Sequence, residues 1–291
     1  MSKILYKEQL SNAVFLMRLD APLIAEERKA GQFIILQVDE DYGERIPLTI
    51  ADADTEEGSI TIIFQVVGKT TDELSRMNVG DEIPVLVGPL GNATHIEKYG
   101  TVVCVGGGIG VAPMHPIAQA MKAAGNKVII IMGARTKELI IMEEEMKKVA
   151  DELIVVTDDG SYGRKGLVTE PLKEICERVP KPDMAIAIGP PIMMKFCALT
   201  TKPYKVYTEV SLNTIMVDGT GMCGGCRVNV GGEAKFVCVD GPEFDGHLVD
   251  FDNMMARLGE FKDIEHEKHE CYVEALTEAK ILEDESKEKK Q

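Results

Sequence analysis

The chain has 291 residues and a formal net charge of −16, from 32 Lys plus Arg against 48 Asp plus Glu. That length predicts about two domains with room for an appended module, and 45 % apolar residues exclude wholesale disorder. The acidic balance argues against a coat for nucleic acid or an anionic membrane, either of which needs a net basic face. No run approaches the roughly 18 apolar residues of a membrane span, and the opening MSKILYKEQLSNAVF lacks the apolar core of an export signal. Seven cysteines, an odd number, argue against a secreted disulfide framework. A reduced cytoplasm is expected, where a tight group of cysteines points to metal.

Residues 1–100 read as strands and turns, with short apolar runs at 33–38, 60–67 and 83–87 bounded by Gly, Asp and Asn. A small antiparallel β-barrel is expected there. Residues 101–210 change rhythm. A buried strand at 102–105 leads through a glycine turn into a helix from Ala112 to Ala124, ended by Gly125. Strand 128–132, helix 138–149, strand 153–157, a helix near 169–178, strand 184–188, a helix near 191–199 and strand 205–210 follow. Alternating strands and helices predict a doubly wound parallel sheet. Residues 211–250 are dense in glycine and hold three of the cysteines, so loops are expected rather than a packed helix. Residues 251–291 read as a charged helical segment with a solvated end.

The turn Gly106-Gly107-Gly108-Ile109-Gly110-Val111-Ala112-Pro113 follows a strand and opens a helix. Glycine lets the backbone approach a pyrophosphate, and the helix start supplies free N–H donors. Its spacing is not a plain GxGxxG, and Gly133-Ala134-Arg135 stands where a ribose-binding acid commonly closes the second strand. A tight turn without a ligand is the bland reading. Three more loops fall at strand ends on the same edge: Gly133–Arg135, Asp158-Asp159-Gly160-Ser161 and Gly189-Pro190-Pro191-Ile192-Met193. The same edge is where ligands bind in such sheets.

Cys223-Gly224-Gly225-Cys226 and Cys238 keep the last three positions of the plant-type ferredoxin spacing C-x4-C-x2-C…C, and Asp218 stands at the first. A carboxylate is a harder iron donor than a thiolate. The residues leave three readings: an iron–sulfur cluster on Asp218, Cys223, Cys226 and Cys238; a zinc site of three Cys with Asp218 or His247; or a group of empty thiols. Cys104, Cys176, Cys197 and Cys271 are isolated and are expected in the core. His115, inside the helix after the glycine turn, is expected to be structural.

Together, Arg45-Ile46-Pro47-Leu48-Thr49-Ile50, Gly68-Lys69-Thr70-Thr71, the GGGIGVAP turn and the cysteine loop resemble the ferredoxin–NADP reductase superfamily, in its dihydroorotate dehydrogenase electron-transfer-subunit branch. The aspartate in place of the first cysteine is similar to the group of small subunits of NADH-dependent reduced ferredoxin:NADP+ oxidoreductases, also called sulfide dehydrogenase subunits. The resemblance covers nearly everything up to about residue 250. It implies an FAD-binding barrel over 1–100, a Rossmann-like NAD domain over 101–210, a [2Fe–2S] module over 211–250 and a charged helical segment over 251–291.

By that resemblance, Pro47, Leu48 and Thr49 lie along the isoalloxazine, with Thr49 near its N5. Arg45 neutralises the FAD pyrophosphate, although relatives often place the arginine directly before the proline, where this chain has Ile46. An ion pair of Arg45 with Glu44 is the alternative. Gly68, Thr70 and Thr71 bind FAD phosphates at a helix start, or simply cap that helix. Gly107, Gly108, Gly110, Arg135, Asp158, Gly189 and Met193 match the nucleotide loops of the family. Asp158 and Asp159 repel a 2′-phosphate, which favours NADH. The implied function is exchange of hydride between NAD(H) and FAD and of single electrons with the [2Fe–2S] cluster. The implied partner is a larger, NADPH-binding flavin and iron–sulfur subunit similar to the small subunit of glutamate synthase. Ferredoxin joins through the complex, and electron bifurcation couples the three. Two alternatives stand beside this: the electron-transfer subunit of an NAD-dependent dihydroorotate dehydrogenase, which uses four cysteines, and a zinc-bearing dinucleotide-sensing regulator without turnover.

Overall fold

The structure, a computed structural model, describes residues 1–41 and 43–288. Its first sheet is built from β1 (Ser2–Ser11), β2 (Val14–Asp20), β3 (Phe33–Gln37), β4 (Ile46–Asp54), β5 (Ser59–Gln65), β6 (Glu82–Ile83) and β7 (Val85–Leu90), with helices α1 (Pro22–Glu27) and α2 (Lys69–Arg76) between strands. The strand order is β6-β1-β2-β5-β4-β3-β7, all antiparallel. The two edge strands are separated in sequence by Pro84 alone, so the sheet curls into a nearly closed barrel. Its interior holds Ile4, Met17, Leu19, Ile34, Leu36, Ile50, Ile60, Ile62 and Phe64, with Leu74 of α2 packed among them. The alternation of side chains sends Ile34, Leu36 and Ile50 inward and leaves Phe33, Ile35 and Ala51 on the outer face.

The second sheet is the doubly wound one. It comprises β8 (Thr101–Gly107), β9 (Lys127–Ala134), β10 (Glu152–Thr157), β11 (Arg164–Lys165), β12 (Met184–Ile188) and β13 (Tyr207–Ser211), all parallel neighbours in the order β11-β10-β9-β8-β12-β13. Helices α3 (Val111–Ala123), α4 (Glu143–Val149), α5 (Thr169–Cys176) and α6 (Pro191–Thr201) connect them. The helix expected over 138–149 is broken. A single 3-10 turn covers Lys137–Leu139, Met142 takes a left-handed φ of 57°, and α4 begins only at Glu143. The adjacent β-branched Ile140 and Ile141 disfavour helix, whereas Glu143, Glu144 and Glu145 in the first turn of α4 complement its dipole.

Residues 211–250 form more than loops. A hairpin of β14 (Arg227–Val230) and β15 (Glu233–Phe236) leads to the one-turn helix α7 (Val237–Asp240), and β16 (Glu243–Asp245) adds antiparallel to β13. Helices α8 (Phe251–Leu258) and α9 (Lys262–Glu288) follow. The last residues of the expected charged end, 289–291, lie outside the described residues. Cys104, Cys176 and Cys197 are buried as expected, but Cys271 is exposed on α9, whose predominantly charged sequence has no core to offer it. His115 is buried, and burial holds its imidazole below the ordinary value, as a structural residue requires. No helix among the described residues is long and apolar enough to cross a membrane.

The barrel, the parallel sheet and the cysteine module meet at a polar seam. Asn92 donates its backbone N–H to the Gly241 carbonyl (2.7 Å) and its side-chain amide to the Val239 carbonyl (3.1 Å). The Thr94 hydroxyl donates to Glu243 at 2.9 Å. Gly31 lies so close that a Cβ there would overlap Thr94 and touch Glu243. Glu209 of β13 lies near Glu243, and Tyr207 of β13, Asp245 of β16, and His95 and Tyr99 of the linker lie around Glu209. Burial, with the Glu209 carboxylate nearby, pushes Glu243 up to about 8 against the opposing pull of Thr94. The folded state therefore holds a proton that the unfolded chain has released. The stability this confers is complete below the ordinary value of 4.5 and is lost as pH rises to about 8. Glu243→Gln, which keeps the uncharged shape, is expected to flatten the melting temperature across that window. Parallel wild-type and variant profiles would show that Glu243 ionises freely.

Candidate functional site

The outer face of the β3–β4 pair is where the site begins. Thr49 lies opposite Phe33, and Pro47 opposite Ile35, so these four side chains share one face. Ile46, Pro47, Leu48 and Thr49 are all half-buried, an open strip on an otherwise closed barrel. Ile46 and Leu48 differ in direction from Pro47 and Thr49, packing with the barrel interior. Of Leu48, therefore, only the backbone borders the strip. Ala51, two residues beyond Thr49, is buried in the core that contains α3. Phe33 and Ile35 are buried in the core that contains Cys226 and Cys238. One face of two strands therefore touches both other parts of the molecule.

At the far end of β5 the chain turns into α2. The helix begins at Lys69, directly after Gly68. The Thr71 hydroxyl accepts from the N–H groups of Val67 (3.0 Å) and Gly68 (3.1 Å), so it caps the helix. Thr70 is buried with its hydroxyl 3.5 Å from Glu44. Gly68 has open space where a Cβ would stand, a cradle able to admit a phosphate. Arg45 is exposed, and its Nε donates to Gln37 (3.3 Å); among the described residues no ion pair joins it to Glu44, the alternative the sequence left open.

In the parallel sheet the strand order reverses between β8 and β12, and the glycine turn sits at that switch point. Gly107, Gly110, Gly189 and Met193 interlock there. A Cβ on Gly110 would overlap the Ile188 carbonyl, one on Gly107 would overlap the Met193 thioether, and one on Gly189 would stand 2.8 Å from Met193 Cε. Close packing accounts for these glycines. Gly108 differs, with φ +54° and nothing near its missing Cβ, so it is the one that faces room for a ligand. Arg135 and Asp158 are exposed at the adjacent ends of β9 and β10, where the Asp158 N–H donates to the Ala134 carbonyl (3.1 Å). Asp159 is committed elsewhere. Its carboxylate accepts from the Ser161 N–H (2.9 Å) and hydroxyl (2.7 Å), which hold it below the usual carboxylate range.

The cysteine loop is drawn against the barrel at Gly219. With φ +75°, that residue would set a Cβ 2.7 Å from Leu90 and 2.9 Å from Ile35. The four candidate ligands fall into two pairs. Cys226 and Cys238 are buried with their sulfurs 3.3 Å apart, well beyond a disulfide bond. Burial and the Cys226 neighbour push the Cys238 thiol up to about 12. Asp218 and the exposed Cys223 form the second pair. The Asp218 carboxylate accepts from the N–H groups of Thr220 (3.0 Å), Met222 (3.0 Å) and Cys223 (2.9 Å), and these hold it below its ordinary value. Among the described residues no three Cys, His, Asp or Glu side chains converge on one point. A two-iron core takes its ligands two by two, so the donor set fits that group. His247 is removed from the zinc alternative, because its Nε2 lies 3.0 Å from the buried Thr201 hydroxyl and its Nδ1 faces Asp245. Sequence reasoning missed Ile35 and Leu90 as the seat of Gly219. Only the tertiary contact reveals them, since in sequence they are ordinary strand residues.

Two family models match the chain: an oxidoreductase NAD-binding domain over residues 104–198 and the iron–sulfur cluster binding domain of dihydroorotate dehydrogenase B over residues 213–250. The dihydroorotate dehydrogenase B (NAD+) electron transfer subunit homolog of Thermotoga maritima is 47 % identical over 279 residues, 96 % of this chain and 98 % of that one. The dihydroorotate dehydrogenase B (NAD+) electron transfer subunit of Clostridium perfringens is 33 % identical over 225 residues, 76 % of this chain and 87 % of that one. Among solved structures, a chain of an NADH-dependent reduced ferredoxin-NADP oxidoreductase, described for flavin-based electron bifurcation, superposes with a TM-score of 0.86 at 48 % identity. That match covers 92 % of this chain and 97 % of the other. Barrel, NAD-binding sheet and cysteine module are thus those of an oxidoreductase subunit that uses FAD, NAD(H) and an iron–sulfur cluster, and the chain belongs to the family of dihydroorotate dehydrogenase B electron-transfer subunits and their homologues.

Proposed function

We propose that this chain exchanges hydride between NAD(H) and FAD and single electrons with a [2Fe–2S] cluster, inside a complex that couples NADH, NADP(H) and ferredoxin by electron bifurcation. The observation that carries the reading is the shared outer face of β3–β4, which borders the NAD-binding sheet at Ala51 and the cysteine loop at Ile35. In this reading the segments 1–100, 101–210 and 211–250 serve FAD, NAD(H) and the cluster in turn. Pro47 and Thr49 present the flavin wall, with the Thr49 hydroxyl serving the reacting edge and Leu48 contributing backbone. Gly68 and Thr70 receive the FAD phosphates, Thr71 holds the turn that does so, and Arg45 supplies positive charge from the neighbouring loop. Gly108 admits the NAD pyrophosphate at the start of α3, while Gly107, Gly110, Gly189 and Met193 give that turn its shape. Arg135 and Asp158 flank the ribose, and Asp158 rather than Asp159 disfavours a 2′-phosphate, since Asp159 is held by Ser161. Asp218 with Cys223, and Cys226 with Cys238, each hold one iron.

The partner in this reading is a larger, NADPH-binding flavin and iron–sulfur subunit similar to the small subunit of glutamate synthase, with ferredoxin reached through the complex. The higher identity to the bifurcating oxidoreductase chain, 48 % against 33 % for the Clostridium perfringens dihydroorotate dehydrogenase subunit, supports this over a dihydroorotate-linked role. So does Asp218, in a position where that enzyme uses cysteine. Seven unpaired cysteines support a reducing cytoplasm.

The purified full chain is expected to show flavin bands and broad iron–sulfur absorption, both bleached anaerobically by NADH. A colourless, zinc-containing protein would overturn the reading. Asp218→Cys is expected to keep a [2Fe–2S] cluster with a shifted reduction potential. If potential and spectrum are both unchanged, Asp218 is not a ligand. Asp158→Asn is expected to lower the preference for NADH over NADPH in kcat/KM by roughly fivefold. An unaltered ratio would assign the discrimination to another group.

A further inference from the structure

Helix α9 does not run free into solvent along its whole length. Having left the cysteine module, it crosses to the barrel and lies against α2 at Tyr272. The Lys69 ammonium stands 6.0 Å from the centroid of the Tyr272 ring. Burial, together with the Asp72 and Glu73 carboxylates, raises the Tyr272 phenol above its ordinary value against the opposing pull of Arg76. Lys69, Asp72, Glu73 and Arg76 occupy positions i, i+3, i+4 and i+7 of α2, one continuous stripe on that helix.

The stripe begins at the phosphate turn. Lys69 is the first residue of α2, between Gly68 and Thr70, so its backbone opens the helix end where a pyrophosphate is favoured, and its ammonium lies beside Glu73 and Tyr272. Its pairing with Glu73 is loose, at 3.8 Å, whereas Arg76 is committed to Asp72 at 2.7 Å. Without Tyr272, the Lys69 side chain would be a flexible point charge among acids, with a large entropy cost to hold in place. An aromatic face beneath the ammonium restricts it without neutralising it.

We propose that the carboxy-terminal helix is part of the flavin-nucleotide site, with Tyr272 a positioning residue that holds Lys69 at the phosphate turn of α2 and slows FAD release. This rests on the reading that the Gly68–Thr71 turn takes the FAD phosphates. It gives residues 262–288 a task within their own chain, in the stretch that the sequence read only as a charged, solvated helix.

The test measures FAD dissociation from the loaded full chain by the rise in flavin fluorescence on dilution. Tyr272→Ala is expected to release FAD roughly five- to tenfold faster, and Tyr272→Phe, which keeps the ring, to stay near the wild-type rate. Gly68→Val, which fills the cradle, tests the underlying reading and is expected to release FAD faster than either. If Gly68→Val accelerates release and Tyr272→Ala does not, the role of the helix is wrong while the phosphate turn stands. If Gly68→Val also leaves the rate unchanged, the phosphate turn itself has been misassigned and the proposal falls with it. A Tyr272→Ala variant that lowers only the melting temperature of the FAD-free protein, with no change in release, would reduce Tyr272 to a packing residue and overturn the proposal.

Discussion

The contact of Gly219 with Ile35 and Leu90 fixes where the cysteine loop stands relative to the barrel. A loop bearing any side chain at that position would have to back away by about an ångström, and φ +75° disfavours most of them in any case. Ile35 is the residue opposite Pro47 in the β3–β4 ladder, so the loop rests on the same face as the proposed flavin wall, beside it. Register does the rest. A one-residue slip of β3 against β4 would turn Ile35 and Phe33 into the barrel and bring Ile34 out, and the loop would lose its seat. The burial of Ile34 and Leu36 in the barrel core opposes that slip.

The same strand pair also holds the NAD-binding sheet. Ala51 continues the outer face of Thr49 and is buried with Val111, Ala112 and Met114 at the start of α3. Hydride transfer requires donor and acceptor within a few tenths of an ångström of contact distance. A dry, interdigitated core between strand and helix resists compression, and it spans the two elements that would present the partners. His115, buried on α3 and depressed by that burial, adds no charge to this core near neutral pH. The polar seam at Asn92, Thr94 and Glu243 closes the other side of the junction. The cores thus handle approach, and the seam handles registration between parts.

What the sequence made legible follows the physics of each signal. The buried runs at Val102–Val105 and Met184–Ile188 declare central parallel strands because both faces are covered, and both are central. The spacing of Asp218, Cys223, Cys226 and Cys238 declares a ligand register, since a loop wrapped on an inorganic core fixes the intervals. The break at Met142 was hidden, because Ile140 and Ile141 satisfy a helical hydrophobic pattern while preferring another backbone. Leu48 and Thr71 were assigned by motif to ligand contact, yet strand alternation turns Leu48 inward and helix capping occupies Thr71. Glu243 gave no signal at all. Its burial comes from Gly31, Thr94 and Glu209, residues far apart in sequence that only the packed seam brings together.

The aspartate in the ligand register does two things at once, and its hydrogen bonds say how. Thr220 donates to one carboxylate oxygen, and Met222 and Cys223 donate to the other. An ionised carboxylate offers about four lone-pair directions, so three N–H donors leave room for a cation without dismantling the turn. A thiolate at the same position is a single sulfur and a weak acceptor of N–H bonds. It would order residues 220–223 less tightly while still able to ligate iron. The carboxylate therefore orders the loop by itself, and the same N–H donors hold Asp218 below its ordinary value. In the proposed ligand set, hardness of the donor and order in the loop come from the same side chain, so a change at that one position is expected to alter the electronic character of the site with the three cysteines kept in register.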